Sequence, residues 1–459
     1  MNGRTKDALV VFIGALLILA PALVNGFPFV YPDSGTYVRS AFQGYVPIDR
    51  PFWYGIFMRI TSLGGHTFWG IVMGQALLCS TYILRTIKLF VAPKRLHLIS
   101  LFVFAALAGL SSVGYYAGVL IPDIFTAIGI LAIIHFLIDR KGWSVLIGDA
   151  TVVLICCWVH LSNMLIIPLC GALLLLLLRK ALQPEVLLRW IRIGAITLLA
   201  WTGLGLGNLA VDGSFYLSRG GHVFLVARFL DAGILRPWLQ EHCIAGDEYR
   251  LCKYVDELPS TSTQFLWSDS ISPMHREGGW LATREEYDRV VREVLTEPAY
   301  LGIFLREGVR STGQLLTGSS VFGGLVNMDY RRTGSPPYVM ISNTIPEAMP
   351  AYLGSLQNGG RGELDMFVMD RINVNVLSIV VLVMAILLVV GGGSGGVFGI
   401  RPLLLFALGA VIINCTICAT LSVVEDRYFS RVSWLLLLFT IAAIMGRFFS
   451  GRSGAGPSA

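Results

Sequence analysis

The stretch NMLIIPLCGALLLLLLRK, residues 163–180, is apolar until it ends in Arg179 and Lys180. A helix needs roughly 20 mainly apolar residues to cross about 30 Å of hydrocarbon. Over the whole chain, 55% of the residues are hydrophobic and 14% are charged, whereas a soluble protein carries about 25% charged residues. The composition predicts an all-α polytopic membrane protein, and it excludes an ordinary soluble enzyme, a disordered chain and a disulfide miniprotein.

About ten stretches meet this length criterion, and they begin near residues 7, 67, 96, 123, 143, 163, 189, 373, 402 and 431. Short cytoplasmic loops retain positive charge, and every second junction here is basic. The basic groups are Arg4 and Lys6; Arg85, Lys88, Lys94 and Arg95; Arg140 and Lys141; Arg179, Lys180, Arg189 and Arg192; Arg401; and Arg447 and Arg452. We therefore expect a multi-pass protein of the cell (inner) membrane with both termini cytoplasmic. The first span is expected to be retained and not cleaved as a signal peptide.

The predicted organisation has three parts: a seven-helix membrane module over residues 1–211, a mainly helical extracytoplasmic domain over 212–372, and a three-helix membrane module over 373–459. A net charge of +6 belongs mostly to membrane topology, so nucleic acid is not an expected partner. A shorter external segment, Phe27 to His66, follows the first span.

Two local patterns describe the large external domain. Thr283 and Glu286 have the Ser/Thr-x-x-Glu spacing of a capping box before a helical stripe that ends at Pro298. Cys243 and Cys252 lie on the face expected to be oxidising, which favours a disulfide between them. The other six cysteines fall in predicted spans and are interpreted as small apolar residues.

The densest group of polar and aromatic residues is in the first external segment, in YPDSGTY at residues 31–37 and DRPFWY at residues 49–54. Asp33 follows the first span closely. Partial desolvation of its carboxylate would raise its basicity toward a useful range. The alternative is that Asp33 only caps a short helix beginning at Ser34.

Other external junctions also end in polar groups: Tyr115, Tyr116 and Asp123; His160 and Ser162; Asp212; and Glu425, Asp426, Arg427 and Tyr428. These residues place acids, a histidine and arginines at one depth with Asp33. Arg427, Arg431 or Arg50 could hold a phosphate by charge-assisted hydrogen bonds, and a carboxylate could accept a proton. His160 could instead be an ordinary histidine at a helix end.

This arrangement resembles the GT-C class of polytopic membrane glycosyltransferases, of the mannosyl and aminoarabinose transferase type, which use polyprenyl-phosphate sugars. In that class the catalytic base is an acid just after the first helix, the position that Asp33 occupies in YPDSGTY. Glu425 to Tyr428 resembles the acidic-Arg-Tyr end of a late helix in some members. Many relatives carry two adjacent acids in the first loop, but Ser34 follows Asp33 here, which argues against a metal-bridged site.

The resemblance implies transfer of a sugar from a polyprenyl-phosphate donor to a lipid or glycan acceptor, with Asp33 as the base and inversion at the sugar carbon. The residues expected to bind the substrates are Tyr37, Asp49, Arg50, Asp123, His160, Arg427, Tyr428 and Arg431. No cofactor or metal is predicted. The phosphate would leave readily, so the enzyme needs mainly to position the acceptor and stabilise the departing charge.

Two other functions remain open from the sequence. A polymerase or ligase of lipid-linked glycans would rely on arginines in the large external loop, where Arg219, Arg228, Arg236 and Arg250 lie. A transporter or flippase would need ionisable residues near the middle of the bilayer, often in repeated halves. The two halves of this chain do not look alike, and Asp149 and His135 lie toward the inner ends of their spans.

Overall fold

The chain folds into helices because its apolar segments satisfy their own backbone hydrogen bonds, as a hydrocarbon environment requires. The computed structural model describes residues 2–90, 96–138, 142–179, 185–243, 249–318, 330–359, 366–390 and 399–450. Within these ranges there is no β-strand, and extended residues pair only in an isolated bridge between Phe29 and Val119. The all-α prediction is confirmed for this part of the chain.

The α-helices fall into three groups along the sequence. The first group is α1 (Gly3–Ile18), α2 (Ala20–Asn25), α3 (Pro32–Gln43), α4 (Trp53–Thr61), α5 (Trp69–Lys88), α6 (Leu96–Leu110), α7 (Val113–Gly118), α8 (Ile124–Ile138), α9 (Trp143–Val159), α10 (Asn163–Leu178) and α11 (Val186–Asp212). The second is α12 (Gly221–Asp231), α13 (Leu235–His242), α14 (Ser262–Trp267), α15 (Pro273–Arg276), α16 (Arg284–Thr296), α17 (Pro298–Thr317), α18 (Pro336–Thr344) and α19 (Met349–Leu353). The third is α20 (Met366–Val390), α21 (Ile400–Leu421) and α22 (Arg427–Ser450). Short 3₁₀ helices occupy Arg250–Tyr254, Pro346–Ala348 and Leu356–Asn358.

Five helices in the described ranges are long and apolar enough to cross a membrane: α5, α11, α20, α21 and α22. All ten predicted spans fall on helices. The apolar helices α6, α8, α9 and α10, however, have only 15 to 17 residues, fewer than the roughly 20 of a full crossing. The structure therefore supports a helical membrane protein, whereas the count of ten spans stays a prediction.

Helix α8 lies at the centre of the bundle. It is apolar on every side, and its residues from Ile124 to Leu137 are buried, as expected for a helix without a polar face. It packs against α5, α9, α10 and α22. In contrast, α11 and α20 leave many large apolar side chains exposed, among them Leu198, Leu382 and Val389, which is the surface that acyl chains would cover.

Helices α12 to α17 enclose a second hydrophobic core around the buried side chains of Trp238, Phe265 and Tyr287. Cys243 and Cys252 form a disulfide at the edge of this core, as predicted. Helix α17 contributes to both hydrophobic cores. Phe304 packs in the second core, and Leu315 packs in the core of the helical bundle that surrounds α8.

The capping-box prediction for α16 is wrong, although Thr283 does precede the helix. The Thr283 hydroxyl donates to the carbonyl of Gly279 at 3.1 Å. Glu286 turns away from the helix start to accept from the Leu251 amide at 2.9 Å and from Arg250 Nε at 2.8 Å. A tertiary ion pair thus replaces the local hydrogen bond that the spacing indicated.

Helix α18 and the 3₁₀ helix Leu356–Asn358 fix the position of α3, the helix that carries Asp33. Helix α18 packs along α3, and a Cβ on Gly35 would lie 2.6 Å from the Pro336 backbone, so the two helices approach as closely as glycine allows. The Gln357 amide pairs with both the N–H and the C=O of Val30, at 3.0 and 2.8 Å. The end of the second helical group therefore clamps the segment that leads into α3.

Candidate functional site

Local sequence sets the entry into α3. Gly26 has a φ of 82° and ends α2, after which the Phe29–Val119 bridge holds the chain extended. Pro32, whose missing N–H is not needed in a first turn, opens α3, and the Ser34 hydroxyl accepts from the Tyr31 amide at 2.9 Å. Ser34 thus takes the local capping contact, and the alternative that Asp33 only caps the helix is wrong.

The Asp33 carboxylate lies between two arginines from distant parts of the chain. Its Oδ1 is 3.1 Å from Arg50 Nη1, and its Oδ2 is 3.0 Å from Arg427 Nη1. Burial raises the pKa of Asp33, but the two positive charges outweigh burial and hold the pKa below its usual value. The expectation of a raised basicity is therefore wrong, since Asp33 is ionised and paired.

Arg50 is anchored more firmly than Arg427. Its Nε donates to Asp49 at 2.9 Å, and its guanidinium lies 5.1 Å from the centre of the Tyr37 ring. Tyr37 in turn packs edge-on against Tyr54, with ring centres 4.9 Å apart. Asp49 and Tyr37 therefore position Arg50 beside Asp33.

A small cavity adjoins Arg50. Its lining includes Pro47, Phe52, Leu161, Tyr216 and Arg219. The walls come from residues 46–52, the α9–α10 junction, and the end of α11 with the chain that follows it. The lining combines apolar side chains with a few polar ones.

Helix α22 presents Arg427 and Arg431 one turn apart, and they have different environments. The Arg427 guanidinium lies over the Tyr31 ring at 4.6 Å and over the Tyr428 ring at 5.1 Å. Its side chain is 15% exposed, and its Nε has no hydrogen-bond acceptor among the described residues. That Nε is buried, while Nη1 donates to Asp33 and Nη2 donates to the Tyr428 hydroxyl, so an incoming anion would bind Arg427 by displacing one of these partners.

Arg431 is fully buried, at 0% exposure, and its N–H groups are all engaged. Nη1 donates to Asp123 at 2.9 Å. The other contacts are Nη1 with His160 Nε2 at 3.0 Å, Nη2 with Ser162, Asn414 and Cys418 at 3.0, 2.9 and 3.1 Å, and Nε with Asn414 at 3.2 Å. The geometry favours a structural role for Arg431 and Asp123 in place of the predicted contact with substrate.

His160 completes this network from the end of α9. Burial and the charge of Arg431 lower the pKa of His160, although Asp123 opposes them, so the ring is neutral. Its Nε2 lies 3.0 Å from Arg431 Nη1 and 3.4 Å from Asp123 Oδ1, and its Nδ1 lies 2.9 Å from the Ser162 hydroxyl. The histidine thereby fixes the α9–α10 junction against α22.

All the predicted site residues meet in one connected cluster, Asp49–Arg50–Asp33–Arg427–Asp123–Arg431–His160, with Tyr37 and Tyr428 as ring contacts. Asn414 and Cys418, which contact Arg431, were not among the predicted site residues, and a single Asn in an apolar span is the signal that could have indicated Asn414. Tyr31 was not predicted either, and Glu425 had no predicted role.

The most exposed of the paired side chains at this site are those of Asp33 at 22%, His160 at 20% and Arg427 at 15%. An anion that reaches Arg427 would compete with Asp33 for its guanidinium group. Within the described ranges no group of three or more His, Cys, Asp or Glu residues could hold a metal ion.

No family model, curated protein or solved structure matches this chain.

Proposed function

We propose that the protein is an integral membrane glycosyltransferase of GT-C-like fold that moves a sugar from a polyprenyl-phosphate donor to a lipid or glycan acceptor. The proposed topology has ten spans, both termini in the cytoplasm, and the α3 end of the bundle at the outer face of the cell membrane. The observation that carries the proposal is the pairing of Asp33 with Arg427 and Arg50 directly after the first membrane helix.

Arg427 and Arg50 would bind the donor phosphate. Charge-assisted hydrogen bonds from guanidinium groups to phosphate are strong and directional. As the phosphate draws the guanidinium of Arg427, Asp33 loses part of the charge that depresses its pKa, so its basicity rises where the acceptor hydroxyl must lose a proton. Pairing with Arg427 and Arg50 keeps Asp33 ionised.

In the chemical step, the acceptor oxygen attacks the sugar carbon and Asp33 takes the acceptor proton. The bond from the sugar carbon to the phosphate oxygen breaks, and both electrons go to the phosphate. A single displacement by one base inverts the sugar carbon.

The arginines of the external segment argue less for a polymerase or ligase. Arg219 pairs with Asp212 at 3.0 Å, and Arg250 pairs with Glu286 at 2.8 Å. Arg228 is buried against Ser311, and Arg236 faces the Leu258 carbonyl. The contacts of these four arginines stabilise the fold of the external segment. Arg427 and Arg50, in contrast, flank the ionised Asp33 at the end of the bundle.

A transport function would make use of the ion pair of Asp149 with Arg85, to which Tyr82 adds a hydrogen bond at 2.7 Å. This cluster lies at the opposite end of the bundle from α3, and a paired acid at one end does not provide a midplane site.

The test is transfer of radiolabel from synthetic short-chain polyprenyl phosphates, each carrying one of several hexoses or pentoses, to the lipids and glycans of membranes that contain the protein. We expect Asp33→Asn to abolish transfer and Arg427→Gln to weaken donor binding, with membrane insertion unchanged. Arg39→Gln is the matched control, since Arg39 lies on the same helix as Asp33 but stacks on Tyr45 at 4.2 Å. Full transfer by Asp33→Asn would exclude Asp33 as the base.

A further inference from the structure

Three aromatic rings that the proposed function does not use meet on the surface of the second helical group. The ring centres of Trp267 and Trp280 lie 5.7 Å apart, and those of Phe224 and Trp280 lie 5.5 Å apart. Phe224 and Trp280 are partly buried against the second hydrophobic core, whereas the side chain of Trp267 is 51% exposed. We call these three residues the aromatic patch. An exposed apolar surface of this kind marks a place where another molecule binds.

The backbone beneath both tryptophans is anchored by buried neighbours. Trp267 ends α14 and follows Leu266, which is fully buried. His275 Nε2 lies 3.0 Å from the Leu266 carbonyl oxygen, and His222 Nε2 lies 3.0 Å from the Trp280 carbonyl oxygen. The two indoles are therefore preorganised, and a ligand that binds them has to order little of the protein.

The aromatic patch is continuous with the cavity beside Arg50. A Cβ on Gly220 would lie 2.9 Å from the Trp280 ring and 3.0 Å from the Ile48 carbonyl oxygen, so glycine allows these two groups to approach each other. Ile48 lines the cavity together with Arg50, and Arg50 Nη1 is 3.1 Å from Asp33 Oδ1. A series of neighbouring residues thus leads from the proposed base to the aromatic patch.

The edge of the patch is polar and charged. Asp269 lies two residues after Trp267, its side chain is 95% exposed, and His275 Nδ1 is 3.6 Å from its carboxylate. Ser268 and Ser270 flank it in the chain. A carboxylate is costly to place in hydrocarbon, but it accepts hydrogen bonds from hydroxyl groups. The negative charge on the face of an indole attracts polarised C–H groups. A saccharide supplies both, since it has C–H groups on the face of its ring and hydroxyl groups around the rim.

We propose that the aromatic patch binds a saccharide portion of the acceptor; this inference rests on the proposed function and makes the acceptor a glycan or a glycolipid. Trp267 stacks on a sugar ring, and Asp269 accepts hydrogen bonds from its hydroxyl groups. The acceptor extends past Ile48 toward Arg50 and Asp33. Trp267 is a binding residue in this arrangement and takes no part in the chemical step.

Binding of soluble sugars tests the patch without any donor. The probes are gluco-, manno- and chito-oligosaccharides, titrated into the full-length protein in nanodiscs and observed by saturation-transfer NMR. We expect binding of an oligosaccharide to the wild type, and a loss of about threefold to tenfold for Trp267→Leu, the range for one aromatic contact. Trp143→Leu is the matched control, because Trp143 is 78% exposed but lies at the other end of α9 from His160. It should bind as the wild type does.

Leucine separates a sugar from a lipid as the molecule that covers the patch, because it keeps apolar area but has no ring face. If no oligosaccharide binds to the wild type more tightly than to Trp267→Leu, the proposal is overturned. Nanodiscs with brominated acyl chains provide a second readout. The difference in fluorescence between the wild type and Trp267→Phe isolates the emission of Trp267, and we expect no quenching by bromine. Quenching would place the patch on the bilayer and overturn the proposal.

Kinetics with a sugar donor provide the last arm. Trp267→Leu should raise the KM for a glycan acceptor by about the same threefold to tenfold, while the KM for the donor and kcat stay unchanged. A change in kcat alone would contradict a binding role.

The two proposals fail in different ways. If the wild type transfers no sugar, or if Asp33→Asn retains full transfer, the transferase proposal falls and with it the role of the patch in binding an acceptor. If transfer depends on Asp33 but Trp267→Leu has the wild-type KM for the glycan acceptor, only the role of the patch falls.

Discussion

The buried ion pair between Arg431 and Asp123 supports a quantitative prediction about stability. Arg431 is 0% exposed and Asp123 is 2% exposed. Replacing Arg431 by Met keeps much of the side-chain volume but leaves the Asp123 carboxylate buried without its main counter-charge. Breaking a buried pair in this way costs about 3–5 kcal/mol. We expect Arg431→Met to lower the free energy of unfolding by that amount.

The assay is unfolding of the purified protein by SDS in mixed micelles, followed by helical circular dichroism. Arg427→Met is the matched control one turn away on α22. It should cost less, because Arg427 is partly exposed and Asp33 keeps Arg50 as a partner. The double variant Arg431→Met with Asp123→Asn should be more stable than Arg431→Met alone, since the unpaired buried charge is gone.

A loss below about 1 kcal/mol for Arg431→Met, the range of exposed ion pairs, would refute the reasoning. It would mean that water or another cation reaches Asp123 and that the network around Arg431 does not hold α22 in place. The predicted difference between Arg427 as a ligand-binding side chain and Arg431 as a structural one would then lose its basis.

Two further predictions concern packing and pH. Gly70→Ala should destabilise the protein by about 1–3 kcal/mol in the same SDS assay, because its Cβ would lie 2.1 Å from the Thr61 carbonyl oxygen. Gly302→Ala is the control, since its Cβ would meet nothing within 4 Å. Equal stabilities of the two variants would contradict the close packing at Gly70. The pKa of Asp33 in the folded protein lies below its usual value of 3.8. The ionised Asp33 therefore contributes its full stabilisation when the pH is above 3.8, and this stabilisation is lost as the pH falls through the folded-state pKa. The stability gap between wild type and Asp33→Asn should therefore stay constant from about pH 7 to 5 and narrow below about pH 4; a gap that widens in acid would disprove the pairing.

The amino-acid sequence determined the features that depend on local composition. Residues 163–178 and the similar apolar stretches had to become helices, because an apolar segment in hydrocarbon can satisfy its backbone polar groups only within itself. Asp33 had to lie beyond the first apolar stretch, because a charged side chain inside hydrocarbon is costly. The pairing of Cys243 with Cys252 was also accessible, since they are near each other in the chain.

The sequence could not distinguish Arg427 from Arg431, which are the same residue type one turn apart on one helix. The tertiary structure decided that Arg431 is sealed by Asp123, His160 and Asn414, whereas Arg427 reaches Asp33 across 394 residues of sequence. It also decided that Asp33 has a lowered pKa. Charge pairing depends on distances of a few ångströms between remote segments, and only the packing of the helices fixes those distances.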